Sequence, residues 1–165
     1  TLCPQAMFAF WLNRDDSTGA GGELTFCGID MNHYTGALTW VSLVATDYWR
    51  ILLNSVSVNG RVLSNGTANA IVDTGTSLLA GPDDVIDAIH SAIGAYSDMS
   101  GDVLVDCSTL SSLPDVVFTI GSTTFNLSPT DYILQVGDGY GTVCMSGFMS
   151  TGNTGGVMPA PRKSV

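Results

Sequence analysis

At 165 residues the chain is long enough to enclose one real core, and it sets 15 acidic residues against 5 basic ones. Two of the five, Arg162 and Lys163, stand in the last four positions, so too little positive charge remains to neutralise phosphates, and nucleic acid is excluded as a partner. No apolar run approaches the roughly 18 residues of a membrane helix, which excludes a spanning segment of that kind.

The acidic excess keeps the protein soluble. It also suits work in acid, where protonating carboxylates lowers the charge instead of accumulating positive charge, and so points to an acidic secreted or lysosomal/vacuolar compartment. Thr1-Leu2-Cys3-Pro4 lacks the charged start and long apolar stretch of a signal peptide, so a targeting segment is expected outside these residues. The four cysteines are scattered, with no CxxC pair, so no zinc site is expected, nor any other metal or cofactor.

In chain order, residues 6–12 and 23–27 are rich in strand formers and separated by a linker of turn residues, which predicts a β-hairpin. A further strand is expected over Tyr34–Val41. Tyr48–Leu53 and Ser55–Val58 follow, then Asn59-Gly60, a strong hairpin signal, and Arg61–Leu63. The polar stretch 64–69 contains Asn65-Gly66-Thr67, a candidate glycosylation sequon at Asn65; the sequon at Asn126 is weakened by Pro129. One clear helix is predicted over about 82–93: Pro82 opens it, Asp83 and Asp84 suit its first turn, Val85, Ile86, Ile89 and Ile93 keep helical spacing, and Gly94 stops it. Strands resume over 103–105, 116–120, 123–127 and 132–136, with a further buried segment over 144–149. His33 in a loop and His90 on the helix lack any Cys or Asp partner at catalytic or metal spacing, and both are read as surface residues. Mostly strands with one helix, the chain reads as an all-β lobe.

The chemistry is concentrated in Ala70-Ile71-Val72-Asp73-Thr74-Gly75-Thr76-Ser77-Leu78-Leu79-Ala80-Gly81-Pro82. Ile71 and Val72 read as the end of a buried strand, which delivers the Asp73 carboxylate into a loop. Gly75 allows close backbone approach, and the hydroxyl of Thr76 is placed to hydrogen-bond the carboxylate and keep it ionised. Asp-Thr-Gly alone is an ordinary turn; an aspartyl-phosphate motif would place Lys where Thr74 stands.

With its flanks, the string resembles the second active-site segment of the pepsin-like aspartic proteases. Phe8–Arg14, Gly21–Leu24, Tyr34-Thr35-Gly36, Tyr48-Trp49-Arg50-Ile51, Leu113-Pro114-Asp115, Leu127-Ser128-Pro129 and Cys144–Met149 resemble the C-terminal lobe of that family in the right order. The resemblance implies a two-lobed endopeptidase acting on peptide or protein substrates, each lobe supplying one catalytic Asp. It makes Asp73 the second of the pair and gives Thr74 the task of tying two active-site loops together. Thr76 would bond the outer carboxylate oxygen, Gly75, Thr76 and Ser77 would line the cleft and bind substrate backbone, and Tyr48 would help form a primed-side pocket. It also implies a Cys107–Cys144 disulfide and leaves Cys3 and Cys27 open.

No first Asp-Thr-Gly-Ser segment and no Tyr-bearing flap occur in these residues, and after Met149 the family's apolar-apolar-Gly-Asp string is missing. The expected fold is therefore a C-terminal lobe of the pepsin-like acid protease fold, truncated at both ends, with a domain over 1–149 and a divergent, disordered tail over 150–165. Core surface and strand edges should be left exposed. A missing N-terminal lobe is the expected partner, without which the chain should be inactive. Two alternatives stand beside this reading: a retropepsin-like homodimer pairing two Asp73 residues, and a non-catalytic or truncated lobe that binds peptides or a partner.

Overall fold

The computed structural model describes residues 2–13, 19, 21–64, 66–137 and 141–152. Asn65 and residues 153–165, most of the expected tail, lie outside them. The described residues divide into two compact units, one up to Thr39 and the other from Trp40. No helix among the described residues is long and apolar enough to cross a membrane.

The first unit is an antiparallel pair, β1 (Phe8–Leu12) and β2 (Gly22–Phe26), in a register that sets Phe8 opposite Phe26 and Leu12 opposite Gly22. At Gly22 a side chain is impossible, since φ is +149° and a Cβ would lie 2.3 Å from the Trp11 carbonyl oxygen. Cys3 bonds to Cys27, closing the base of the hairpin. A short 3₁₀ turn, Met31–His33, is capped by the Asp30 carboxylate. Here one expectation fails: His33 is not an isolated surface residue but stacks on Trp11, with Nε2 3.3 Å from Glu23 and 3.7 Å from Asp30. A second failure is Tyr34–Val41, which forms no strand. Gly36 turns the backbone at φ +80°, and alternating apolar residues make a strand only where a neighbouring ladder takes up their hydrogen bonds.

The second unit is built from strands β3 (Arg50–Leu53), β4 (Ser55–Val58), β5 (Arg61–Val62), β6 (Ala68–Ile71) and β7 (Leu79–Gly81), helix α1 (Asp83–Ala92), strands β8 (Tyr96–Ser97), β9 (Val103–Val105), β10 (Val116–Ile120) and β11 (Thr123–Leu127), the single turn α2 (Pro129–Tyr132), and strands β12 (Ile133–Gly137), β13 (Thr142–Ser146) and β14 (Phe148–Ser150). Two four-stranded sheets run β11-β10-β4-β5 and β12-β13-β9-β8, with two-stranded pairs β3-β6 and β14-β7 beside them. Asn59 and Gly60, both at positive φ, make the expected tight turn between β4 and β5. Along β4 and β10 every second residue points inward, burying Val56, Val58, Val116 and Phe118.

Helix α1 sits on the core through Val85, Ile86 and Ile89, followed by Ile93, and Gly94 ends it at φ +67°. Pro82 caps the helix instead of opening its first turn. Turn α2 was hidden behind the strand signal of 132–136. Its marker is local: Ser128 bonds the Asp131 side chain and Asp131 accepts from the Ser128 N–H, a capping box.

Cys107 bonds to Cys144, joining a 3₁₀ segment, Cys107–Ser112, to β13. Tyr132 is buried against Phe148, with ring centroids 5.5 Å apart, and its hydroxyl donates to the Pro114 carbonyl at 2.7 Å. Burial, with Asp115 nearby, pushes its pKa up to about 12, so it stays a neutral donor. Tyr132→Phe keeps the packing but strands that carbonyl, and is expected to cost about 1–3 kcal/mol, read as a lower urea midpoint at unchanged m-value.

Where a disordered tail was expected to begin, Ser150 is the last residue of β14 and the Thr151 N–H donates to the Gly81 carbonyl at 2.9 Å.

Candidate active site

Strand β6 ends at Ile71, and its ladder to β3 continues one step when the Val72 N–H donates to the Trp49 carbonyl at 2.9 Å. Asp73 is thereby released into the loop at a fixed point. Of its carboxylate oxygens, Oδ1 accepts the Gly75 N–H at 2.8 Å and Oδ2 accepts the Thr76 hydroxyl at 2.5 Å. The Thr76 hydroxyl, then the Gly75 N–H, hold Asp73 below the ordinary carboxylate value. Gly75 leaves room for this geometry: a Cβ there would come within 3.2 Å of Oδ1, and the carboxylate would have to give by a few tenths of an ångström. Thr74 and Ser77 are exposed beside it.

Tyr48 comes to the same place. The Arg50 guanidinium pairs with Asp47, whose other oxygen accepts the Tyr48 N–H at 2.8 Å, and the Arg50 carbonyl accepts the Val44 N–H at 2.9 Å. The loop carrying Tyr48 is thus tied to β3. Leu43, Thr46, Asp47, Tyr48, Trp49, Ile71, Val72 and Asp73 line one open depression of about 780 Å³. Sequence reasoning missed Asp47 and Arg50; an Asp and an Arg three apart around Tyr-Trp were the available signal.

Val72 was expected to be the buried end of a strand, yet it is 40% exposed, as are Trp49 at 55% and Leu52 at 41%. Strand β6 pairs with β3 alone among the described residues, and these side chains stand open to solvent beside that pair. Of β6 itself, only Ala70 is buried.

After the loop, β7 runs parallel to β14, with the Leu79 N–H donating to the Gly147 carbonyl at 2.8 Å. Gly147 approaches Tyr132 so closely that a Cβ would lie 2.6 Å from its carbonyl oxygen. Buried Ser146 fixes the turn: its Oγ accepts the Phe148 N–H at 3.2 Å and lies 3.0 Å from His90 Nε2. His90 is therefore half-buried and partnered, correcting its reading as a surface residue. Desolvation lowers its pKa, against an opposing pull from Asp87 on the same helix. A histidine whose folded value is depressed favours the neutral imidazole. Its contribution to stability is present above the unfolded value and is lost as pH falls through the folded one. The melting temperature should accordingly fall between neutral pH and about pH 5 more steeply for the native chain than for His90→Gln, measured by circular dichroism.

The family model for eukaryotic aspartyl proteases matches residues 1–158. The chain belongs to the eukaryotic aspartyl protease family. It is similar to aspartic protease 3 of Caenorhabditis elegans, 47% identical over 97% of this chain and 39% of that protein. It is similar also to pepsin A of Sus scrofa, 43% identical over 89% of the chain and 37% of the relative. Cathepsin D of Chionodraco hamatus is 41% identical over 88% of the chain and 37% of the relative. The chain thus spans under two-fifths of the length of these family members. All-β architecture with one clear helix is what the resemblance to a pepsin-like lobe led us to expect.

Proposed function

We propose that this aspartyl protease chain acts as the C-terminal lobe of a two-lobed endopeptidase, with Asp73 as one of its two catalytic carboxylates. The observation that carries the reading is the exposed Asp73 carboxylate, held ionised by the Thr76 hydroxyl and the Gly75 N–H at the end of β6. The shared-proton pair is the general account of aspartic proteases, applied to this chain as a member of the family. Two carboxyls a few ångströms apart cannot both ionise easily, so one keeps a proton. The ionised member takes a proton from a water as the water oxygen bonds to the peptide carbonyl carbon. The protonated member gives its proton to the carbonyl oxygen, and collapse of the tetrahedral intermediate breaks the C–N bond as the amine leaves with a proton. Asp73, kept ionised by two donors, suits the first of these parts.

Gly75, Thr76 and Ser77 would bind substrate backbone, Thr74 would join the loop to its counterpart in the other lobe, and Tyr48 would wall one side of the depression. The substrate is a peptide or protein, and the mechanism calls for no cofactor. Two disulfides fit a secreted or lysosomal/vacuolar setting. The exposed face of β3 and β6 fits contact with a further segment or lobe.

The test is peptide hydrolysis in the acid range by the chain alone over a series of concentrations, with Asp73→Asn as control. Negligible turnover throughout is expected. Turnover that needs Asp73 and rises faster than linearly with concentration would replace the two-lobed reading with a homodimer; turnover linear in monomer would contradict the need for two carboxyls.

A further inference from the structure

The first unit holds a second cluster, which the proteolytic reading does not use. We propose that Glu23, Asp30 and His33 form a site for one divalent transition-metal ion of the zinc class, with water completing its coordination.

The donor atoms converge: His33 Nε2 is 3.3 Å from Glu23 Oε2 and 3.7 Å from Asp30 Oδ2, and no two of the three lie more than 4.8 Å apart. A tetrahedral ion with bonds of about 2.0–2.2 Å spans about 3.3–3.6 Å between neighbouring ligands, so the histidine is already at the required distance from Glu23, and Asp30, at 3.7 Å, must move slightly closer. The two carboxylates, within 4.8 Å of each other, must draw together to the same spacing.

Each ligand is oriented from behind. The second oxygen of Glu23 accepts the Thr25 hydroxyl at 2.7 Å, and the second oxygen of Asp30 accepts both the N–H and the side-chain amide of Asn32 at 2.8 Å. One oxygen of each is thereby occupied, leaving the other to face Nε2. The imidazole is held flat on Trp11, with ring centroids 4.1 Å apart and an interplanar angle of 9°. Trp11 stands opposite Glu23 in the β1–β2 ladder, so the ring platform and the first carboxylate are fixed by the same strand pair. Such outer contacts, which set ligand orientation, normally accompany a metal centre.

Charge and donor type narrow the ion. Two carboxylates and a neutral imidazole carry a charge matching a dication, and an imidazole donor favours zinc, copper or cobalt over calcium and magnesium. All three residues are open enough to water for an ion to enter.

The experiment is isothermal titration of the whole chain with zinc chloride at neutral pH, alongside calcium chloride, repeated with His33→Gln and with Glu23→Gln. Cobalt(II) spectra provide a direct view of the ligand field. Expected are one equivalent of zinc, at least tenfold weaker binding in each variant, no comparable heat from calcium, and a visible cobalt band that His33→Gln removes. Circular dichroism melts of the metal-free variants confirm that each is folded. Absence of saturable zinc binding would show the cluster to be an ion pair only and overturn the proposal, as would binding equal in calcium or unchanged in both variants.

Discussion

Asp73→Asn is expected to lower peptide hydrolysis by the assembled two-lobed enzyme by about 10²–10⁴-fold, the ordinary worth of general acid–base assistance. The substitution isolates the chemistry because the amide has the shape of the carboxylate and can keep its contacts. Asn at 73 would turn its oxygen to the Gly75 N–H, whose direction is fixed. Its NH₂ would then face Thr76, whose hydroxyl can rotate from donor to acceptor. The loop should therefore survive, with the melting temperature nearly unchanged. On the proposed mechanism the substitution removes the capacity to take a proton from water, so the fall should appear in kcat with little change in KM. A matching fall in melting temperature would instead assign Asp73 a structural role.

The second large effect is on the fold. Removing the Cys107–Cys144 disulfide by Cys107→Ala with Cys144→Ala is expected to destabilise the chain by about 4 kcal/mol, from the loop-closure entropy of a bridge spanning 37 residues. The loop it closes contains β10, β11, α2 and β12, so the reduced chain gains freedom over a large share of the second unit. Cys144 is also buried in β13, between β12 and β9, where truncation leaves a small void. Against a typical domain stability of about 5–15 kcal/mol this is a large fraction, and the urea midpoint should fall accordingly. A shift below about 1 kcal/mol would mean that the unfolded chain is already constrained.

What could be read from the sequence was local. The Asp73 loop was legible because the carboxylate, its glycine and its hydroxyl lie within four positions, and their hydrogen bonds are made inside that span. Helix α1 and the Asn59-Gly60 turn were legible because spacing, capping and positive φ are properties of short segments. The contacts that were not legible connect distant positions or need the fold to supply a partner. His90 meets Ser146 only because β14 folds back beside β7, and His33 meets Glu23 only because the 3₁₀ turn curls over the β1–β2 ladder. Tyr34–Val41 has strand-forming residues without a ladder to join, and Val72 has a core residue's chemistry without a layer above it. Composition alone cannot show whether such a partner is present.

The measurement that bears most directly on the two-lobe account is acid-range peptide hydrolysis by three proteins: this chain alone, this chain joined to an N-terminal lobe carrying a second Asp-Thr-Gly, and the joined protein with Asp73→Asn. The account predicts turnover in the joined protein only, falling by about 10²–10⁴-fold on Asp73→Asn. Equal turnover by the chain alone, or full turnover by the joined protein without the Asp73 carboxylate, would contradict it.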